Sequence, residues 1–200
     1  TKDFLNKCQQ STFKIESIDK KKSTRKPSAP FITSTLQQEA STKLRMSPKS
    51  TMASAQKLYE GGYITYMRTD SFDLSEESLD MITNYVNQNY GDQYLKIQAY
   101  KSKSKNSQEA HEAIRPCNFK VTSLKDDETM TNFEERLYRL IWNRTVASQM
   151  AHCKVDLFTT KISISEFPDE KFVTKNEKIT FDGFTRVYKQ INEEDDEEGD

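Results

Sequence analysis

Cysteine is scarce in this chain of 200 residues, which has three copies at Cys8, Cys117 and Cys153. They are far apart, their number is odd, and none belongs to a Cys-x-x-Cys pair. This pattern argues against a disulfide framework and a zinc cluster, and it favours a reducing compartment. His152 and Cys153 could supply two metal ligands, but nothing in the sequence supplies the other two.

Long apolar runs and nucleotide-binding loops are also missing. No segment approaches the roughly 18 apolar residues of a membrane-spanning helix, and the opening TKDFLNK has no signal-peptide pattern. We therefore expect a cytoplasmic protein without a membrane partner. No Gly-x-x-x-x-Gly-Lys-[Ser/Thr] loop is present, so nothing indicates ATP use. Because TKDFLNK lacks an initiator Met, we expect the chain to be a segment of a longer protein.

Charge is nearly balanced but unevenly distributed. The formal net charge is −1, yet seven of the 31 acidic residues lie in EEDDEEGD at 193–200, which we interpret as a disordered tail. The rest of the chain is basic, which suits a phosphate-rich partner but is equally typical of solvated linkers. The two basic clusters are Lys20, Lys21, Lys22, Arg25 and Lys26, and then Lys96, Lys101, Lys103 and Lys105.

Both ends of the chain are predicted to form strands. STFKIESID alternates apolar and polar residues at Phe13, Ile15 and Ile18, and KKKSTRKPSAP follows it as a basic linker. Near the other end, KVDLFTTKISIS, EKFVTK and KITFDGFTRVY predict three strands, with a turn at Asn176-Glu177.

The region between these strands has the helical period. Helices 34–44 and 48–60 are separated by a three-residue turn, so the pair resembles a helix-turn-helix. YITYM has strong β propensity, and if it is extended, Ile64, Tyr66 and Arg68 share one side. A third helix precedes Gly91, AHEAI is expected to be a short helix, and a fourth long helix at about 132–150 is expected to bury Phe133. The other boundary signals are Ser34 with Gln37, Ser47-Pro48, Gly61-Gly62, and Asp73 or Ser75.

This order predicts an α+β multidomain fold, with a mostly α-helical module of about four main helices inserted into an antiparallel β domain. The expected divisions are β strand with basic linker at 1–27, the helical domain at 28–150, returning β strands at 151–191 and an acidic disordered tail at 192–200.

Tyr66 and Arg68 are the first candidates for chemistry. A tyrosine in a β-prone segment is most often a packing residue, and a phenol, with an ordinary pKa near 10, is a weak nucleophile. A guanidinium on the same side would stabilise its anion and bind two phosphate oxygens. Thr65, Thr69 and Asp70 add hydroxyls and a carboxylate nearby. This set suits phosphoryl transfer to a tyrosine, and packing with charge pairing would use the same residues.

Three segments then stand in a characteristic order: PFITSTLQQEAS, AQKLYEGGYITYMRTDS and NSQEAHEAIRP. Together they resemble type IA DNA topoisomerases, and the likeness covers roughly residues 10 to 190. The topoisomerase III branch usually has proline where Met67 stands and Thr-Glu where Thr69-Asp70 stand. YMRTDS therefore resembles the bacterial topoisomerase I branch.

The resemblance implies that Tyr66 attacks a DNA backbone phosphate and forms a 5′-phosphotyrosine link. Arg68 would bind the scissile phosphate, and His111 would contact the DNA backbone next to the break. The mostly helical module would carry the tyrosine, and the β domain would form an arch that bears it. The positions that line the same site in the family are matched by Gln56, Glu60, Thr65, Thr69 and Asp70.

The resemblance also implies a missing half of the site. In the family, a separate Toprim domain holds magnesium in an acidic cluster and supplies the general acid for the departing 3′ oxygen. This sequence has no counterpart, so we expect no metal site here and no DNA relaxation by the segment alone. The implied partners are single-stranded or underwound DNA and the Toprim domain of the same full-length chain, in the cytoplasm with the nucleoid.

Two other interpretations stay open on the sequence. Helices 34–44 and 48–60 could form a non-catalytic DNA-binding module, for which Tyr66→Phe would leave every activity intact. A fusion of the reverse-gyrase type would couple this segment to a helicase elsewhere in the protein.

Overall fold

The computed structural model describes residues 2–100 and 111–188. It divides into two compact units, one formed by Thr1–Arg25 with Cys153–Asp182, the other by Lys26–His152 with the segment that begins at Gly183. Within the described ranges, no helix combines the length and apolarity of a membrane span. The acidic tail, the NSQEA half of the third motif and the lysines at 101, 103 and 105 lie outside the described residues.

The first unit contains helix α1 (Lys2–Gln10) and a three-stranded antiparallel sheet in the order β1-β2-β3. Its strands are β1 (Phe13–Arg25), β2 (Cys153–Ile164) and β3 (Phe167–Phe181). The aromatic and β-branched residues of these segments favour extended backbone. At one end the ring of Phe4 in α1 lies 4.7 Å from that of Phe167, which packs the helix against β3.

The sheet corrects three predictions from the sequence. The basic segment taken as a linker is strand as far as Arg25, because its backbone pairs with β2 and two of its cations pair with acids on β2 and β3. Lys20 lies 2.7 Å from Asp156, and Arg25 lies 2.6 Å from Glu177. The turn predicted at Asn176-Glu177 is also wrong, since both residues pair with β2 inside β3 and the turn lies at 165–166. Between Cys153 and the last described residue, Tyr188, two strands return and not the predicted three.

In its described residues the second unit contains four α-helices: α2 (Thr33–Leu44), α3 (Pro48–Glu60), α4 (Glu76–Asn89) and α5 (Asn132–Ser148). Helix starts at Ser47 and Ser75 follow the predicted cap signals, with each hydroxyl accepting a backbone N–H from three residues later. The prediction of a cap at Ser34 with Gln37 is wrong. Helix α2 begins at Thr33, one residue before Ser34, and the Thr35 hydroxyl accepts the Ile32 N–H at 3.1 Å.

The core of this unit is formed where the apolar stripes of the helices meet around Phe31 and Ile114, both fully buried. Phe133 is an exception to the predicted stripe of α5, since 55% of it is exposed in the first turn of the helix. The segment DGFTRVY does not form a strand: Gly183–Arg186 is a 3-10 turn. Gly183 has φ +51°, and a Cβ there would lie 2.4 Å from the Ala151 carbonyl oxygen. The helical core residues are Leu36, Ala40, Ala55, Leu58, Ile82, Val86, Leu137 and Ile141.

Between these helices the chain crosses the unit in two irregular segments, 61–75 and 111–117. They meet at an isolated bridge of Ile64 with Pro116, and Ile114 forms a second bridge with Phe31. The predicted AHEAI helix is therefore wrong over its described residues, 111–114, because the backbone of Ile114 pairs with a distant segment. These crossings position the candidate site.

Candidate functional site

The segment that carries Tyr66 begins where α3 ends. The N–H of Gly61 donates to the carbonyl of Lys57 at 3.0 Å, and Gly62 follows with φ +74°, a conformation that glycine adopts without strain. The chain leaves the helix here in a turn and reaches the buried Ile64.

From Tyr66 to Ser71 exposed and buried side chains alternate. Met67 is 1% exposed and anchors the segment in the core, whereas 42% of Tyr66 is exposed. Tyr66, Arg68 and Asp70 point away from the core. This alternation agrees with the prediction that Tyr66 and Arg68 share a side. Ile64 was predicted on the same side, but it points inward, where it is buried and forms the bridge to Pro116.

Two clefts meet at this segment. One, of about 270 Å³, is lined by Tyr66 and its neighbour Tyr59, whose ring centroid lies 5.2 Å away in an edge-on arrangement. The other, of about 580 Å³, is lined by Arg68. Thr69 and His111 line both, so the clefts adjoin. The remaining lining residues are Thr65 and Glu112 in the smaller cleft, and Ile32, Thr33, Ser34, Gln37 and Asp70 in the larger.

Thr65 joins the two irregular segments: the tyrosine segment, 61–75, which carries Tyr66, and the histidine segment, 111–117, which carries His111. Its hydroxyl donates to the Ala113 carbonyl at 2.7 Å and accepts the Arg115 N–H at 2.9 Å. Its own N–H donates to the Arg115 carbonyl at 2.9 Å. Tyr66 and His111 therefore stand on two segments that are joined next to the site.

The histidine segment is fixed from its other side by Glu112. Its carboxylate accepts the Ser75 N–H at 2.8 Å and pairs with Arg115 at 2.7 Å. Partial burial raises the pKa of Glu112, but the hydrogen bonds from Ser75 and the charge of Arg115 outweigh it and keep the pKa below its ordinary value. The guanidinium of Arg115 is thus held by an ion pair within the same segment.

The structure brings together six of the eight residues expected at the site: Tyr66, Arg68, His111, Thr65, Thr69 and Asp70. Gln56 and Glu60 line neither cleft; they hydrogen-bond to each other at 2.6 Å on the last turn of α3. Sequence reasoning missed Tyr59, Thr33, Ser34, Gln37 and Glu112 as lining residues. All five residues belong to the three quoted motifs, and this membership could have identified them. Their side chains have no chemical feature that distinguishes them in the sequence.

The donor set does not fit a metal. Within residues 2–100 and 111–188, no three His, Cys, Asp or Glu side chains lie close enough together to hold an ion. Mg²⁺ needs several oxygen ligands, whereas Asp70 and Glu112 line different clefts and Glu112 is already paired with Arg115. The groups that this site offers for chemistry include the phenol of Tyr66, the guanidinium of Arg68 and the imidazole of His111.

Comparison with known proteins places this chain in a family. Residues 1–199 match the family described as DNA topoisomerase. The chain is 47% identical over 195 residues to DNA topoisomerase 1 of Vibrio cholerae, covering 96% of this chain and 21% of that protein. It is 46% identical over 192 residues to a DNA topoisomerase 1 of prokaryotic type from Acanthamoeba polyphaga mimivirus, covering 93% and 22%.

The fold agrees with these matches. Full-length topoisomerase I from Thermotoga maritima has a TM-score of 0.81 and 31% sequence identity, covering 96% of this chain and 32% of that one. The chain thus belongs to the DNA topoisomerase family, with relatives of the bacterial topoisomerase I type, as the three motifs predicted. It spans between 21% and 26% of the length of the curated relatives it matches.

Proposed function

We propose that this chain is the nucleophile-bearing segment of a type IA topoisomerase that cuts and rejoins one DNA strand to relax supercoils. The observation that carries the proposal is the placement of Tyr66, which is 42% exposed at a cleft that adjoins the one lined by Arg68. Membership of the DNA topoisomerase family supports it.

The proposed reaction is a transesterification at a backbone phosphate of single-stranded or underwound DNA. The Tyr66 oxygen attacks phosphorus, and the bond from phosphorus to the 3′ oxygen breaks. The phenol loses its proton and the departing 3′ oxygen gains one, leaving a 5′-phosphotyrosine and a 3′-hydroxyl. Because one phosphodiester replaces another, the 3′-hydroxyl can rejoin the strand by the reverse attack without ATP.

In this reaction negative charge grows on the non-bridging phosphate oxygens. Arg68 would stabilise it with charge-assisted hydrogen bonds, which contribute most in the transition state. His111 lines both clefts and would contact the DNA backbone beside the break. Thr69 and Asp70 would line the path of the strand next to Arg68, and Thr65 would act through its hydrogen bonds to the histidine segment. Gln56 and Glu60 stay predictions from the resemblance alone.

The complete enzyme would supply the rest of the site. We place the magnesium ion and the acid for the 3′ oxygen in a Toprim domain of the same full-length chain. The helical unit would be an insertion at about 28–150 in a β arch formed by 1–27 and 151–191, followed by the acidic tail at 192–200. Such an enzyme would work in the cytoplasm with the nucleoid.

Covalent trapping tests this proposal. The full-length enzyme is incubated with magnesium and a single-stranded oligonucleotide labelled at its 3′ end, then denatured and run on a gel. A 5′-phosphotyrosine link leaves the labelled fragment on the protein, and Tyr66→Phe should remove the labelled band. Tyr59→Phe is the matched control, because its ring contacts that of Tyr66 and 41% of it is exposed. A labelled band that persists in Tyr66→Phe would refute the proposal and favour a non-catalytic DNA-binding module.

A further inference from the structure

Arg68 lies between two residues whose backbone is fixed by a single side chain, that of Thr33. The Thr33 hydroxyl accepts the N–H of Thr69 at 2.9 Å. It has one proton to donate, and the carbonyl of Met67 at 2.8 Å is nearer than that of Thr69 at 3.1 Å. The residues immediately before and after Arg68 are therefore bonded to the same oxygen.

The backbone of Thr33 adds a third bond. Thr33 is the first residue of α2, where the N–H groups have no acceptor within the helix. Its N–H donates to the Thr69 carbonyl at 3.0 Å, so the Arg68 segment satisfies the start of the helix. The helix start and the arginine segment consequently fix each other.

The anchoring is directional. Met67 is 1% exposed and cannot turn outward without leaving the core, and Thr33 is itself only partly exposed. With Met67 and Thr69 held, the Cα of Arg68 has a fixed position and its side chain leaves toward the larger cleft, which Thr33 also lines.

We infer that Thr33 is a positioning residue for Arg68. This inference rests on the proposed function of Arg68 at the scissile phosphate. Loss of the Thr33 hydroxyl should leave DNA binding nearly intact, because binding is spread over many phosphate contacts. It should slow cleavage, because a displacement of about 1 Å at a reacting group can cost on the order of 100-fold in rate.

The test measures single-turnover cleavage at saturating oligonucleotide, and DNA affinity by fluorescence anisotropy, in the full-length enzyme. Thr33→Val keeps the shape and removes the hydroxyl, and we expect cleavage to fall about 10- to 100-fold with affinity within about threefold. Thr33→Ser retains the hydroxyl and should cleave within about threefold of wild type. Thr35→Val is the matched control, because among the described residues its hydroxyl bonds the backbone of Ile32 in the same turn and not the Arg68 segment.

Epistasis with Arg68 separates positioning from general destabilisation. In an Arg68→Ala background, Thr33→Val should add little further loss, since the group that it positions is gone. Should Thr33→Val fail to fold in a thermal melt, Thr33→Ala supplies a second hydroxyl-free variant. Three results would each overturn the inference. The first is a loss of cleavage in Thr33→Val no larger than that in Thr35→Val, and the second is a loss that multiplies with that of Arg68→Ala. The third is a loss of cleavage in Thr33→Ser as large as in Thr33→Val. Absence of cleavage in the wild-type enzyme would instead overturn the proposed function itself.

Discussion

Replacing Thr65 by valine should loosen the connection between the nucleophile and the histidine segment. The substitution conserves shape but removes a donor to the Ala113 carbonyl and an acceptor for the Arg115 N–H, both within 3 Å and part-buried. Each hydrogen bond contributes about 0.5–1.5 kcal/mol net, and a buried N–H left without an acceptor costs about 1–3 kcal/mol. We expect a local loss of about 2–4 kcal/mol.

Hydrogen exchange of the Arg115 amide measures this loss directly. A loss of about 2–4 kcal/mol corresponds to an exchange rate that is roughly 30- to 700-fold faster, since about 1.4 kcal/mol is a factor of ten. Thr65→Ser keeps both hydrogen bonds and is the reference. Thr42→Val is a second control, because the Thr42 hydroxyl makes an exposed bond to Gln38 in α2, remote in sequence from both segments. If the Arg115 amide of Thr65→Val exchanges within about twofold of its rate in the serine variant, the Thr65 hydroxyl does not join the two segments.

Two further predictions concern charge. Arg68→Ala should reduce cleavage by about 100-fold or more and DNA affinity by less than about tenfold, because the arginine charge is needed most in the transition state. Single-turnover rates and anisotropy titrations measure the two losses. Equal losses would make Arg68 a simple phosphate contact. The second prediction concerns Glu112, whose pKa is lower in the folded protein than its unfolded value of about 4.3. The pairing of Glu112 with Ser75 and Arg115 therefore stabilises the fold at pH values above the unfolded pKa. This stabilisation is lost as the pH falls through the folded pKa. Thermal melts should therefore show the advantage of wild type over Glu112→Gln shrinking in acid, and a gap that is the same at about pH 3 and pH 7 would refute it.

The helices could be predicted from the sequence because their signals are local. Ser47-Pro48 and Ser75 mark starts that need only the next turn of chain, and the four-residue spacing of Leu36 and Ala40 places them on one buried face. Phe133 is one exception, and it lies at the first turn of α5, where a side chain can leave the helix face that packs.

The irregular segments could not be predicted because distant residues decide them. YITYM has β propensity, yet Ile64 forms only an isolated bridge, since its partner strand is the short stretch at Pro116. KKKSTR looks like a solvated linker until β2 pairs with it. Within the site, Tyr66, Arg68 and His111 were found through motifs, whereas Thr33 was missed because its importance lies in bonds to residues 34 and 36 positions away.

The two hydroxyls that hold the tyrosine segment have a consequence for synthesis on the ribosome. Thr33 precedes the segment and contacts Thr69 across 36 residues, whereas Thr65 needs Arg115, which is translated 50 residues later. A nascent chain that has emerged as far as Ser71 thus contains the partners of Thr33 and lacks those of Thr65. The hydrogen bonds of Thr65 can therefore form only after the histidine segment has emerged.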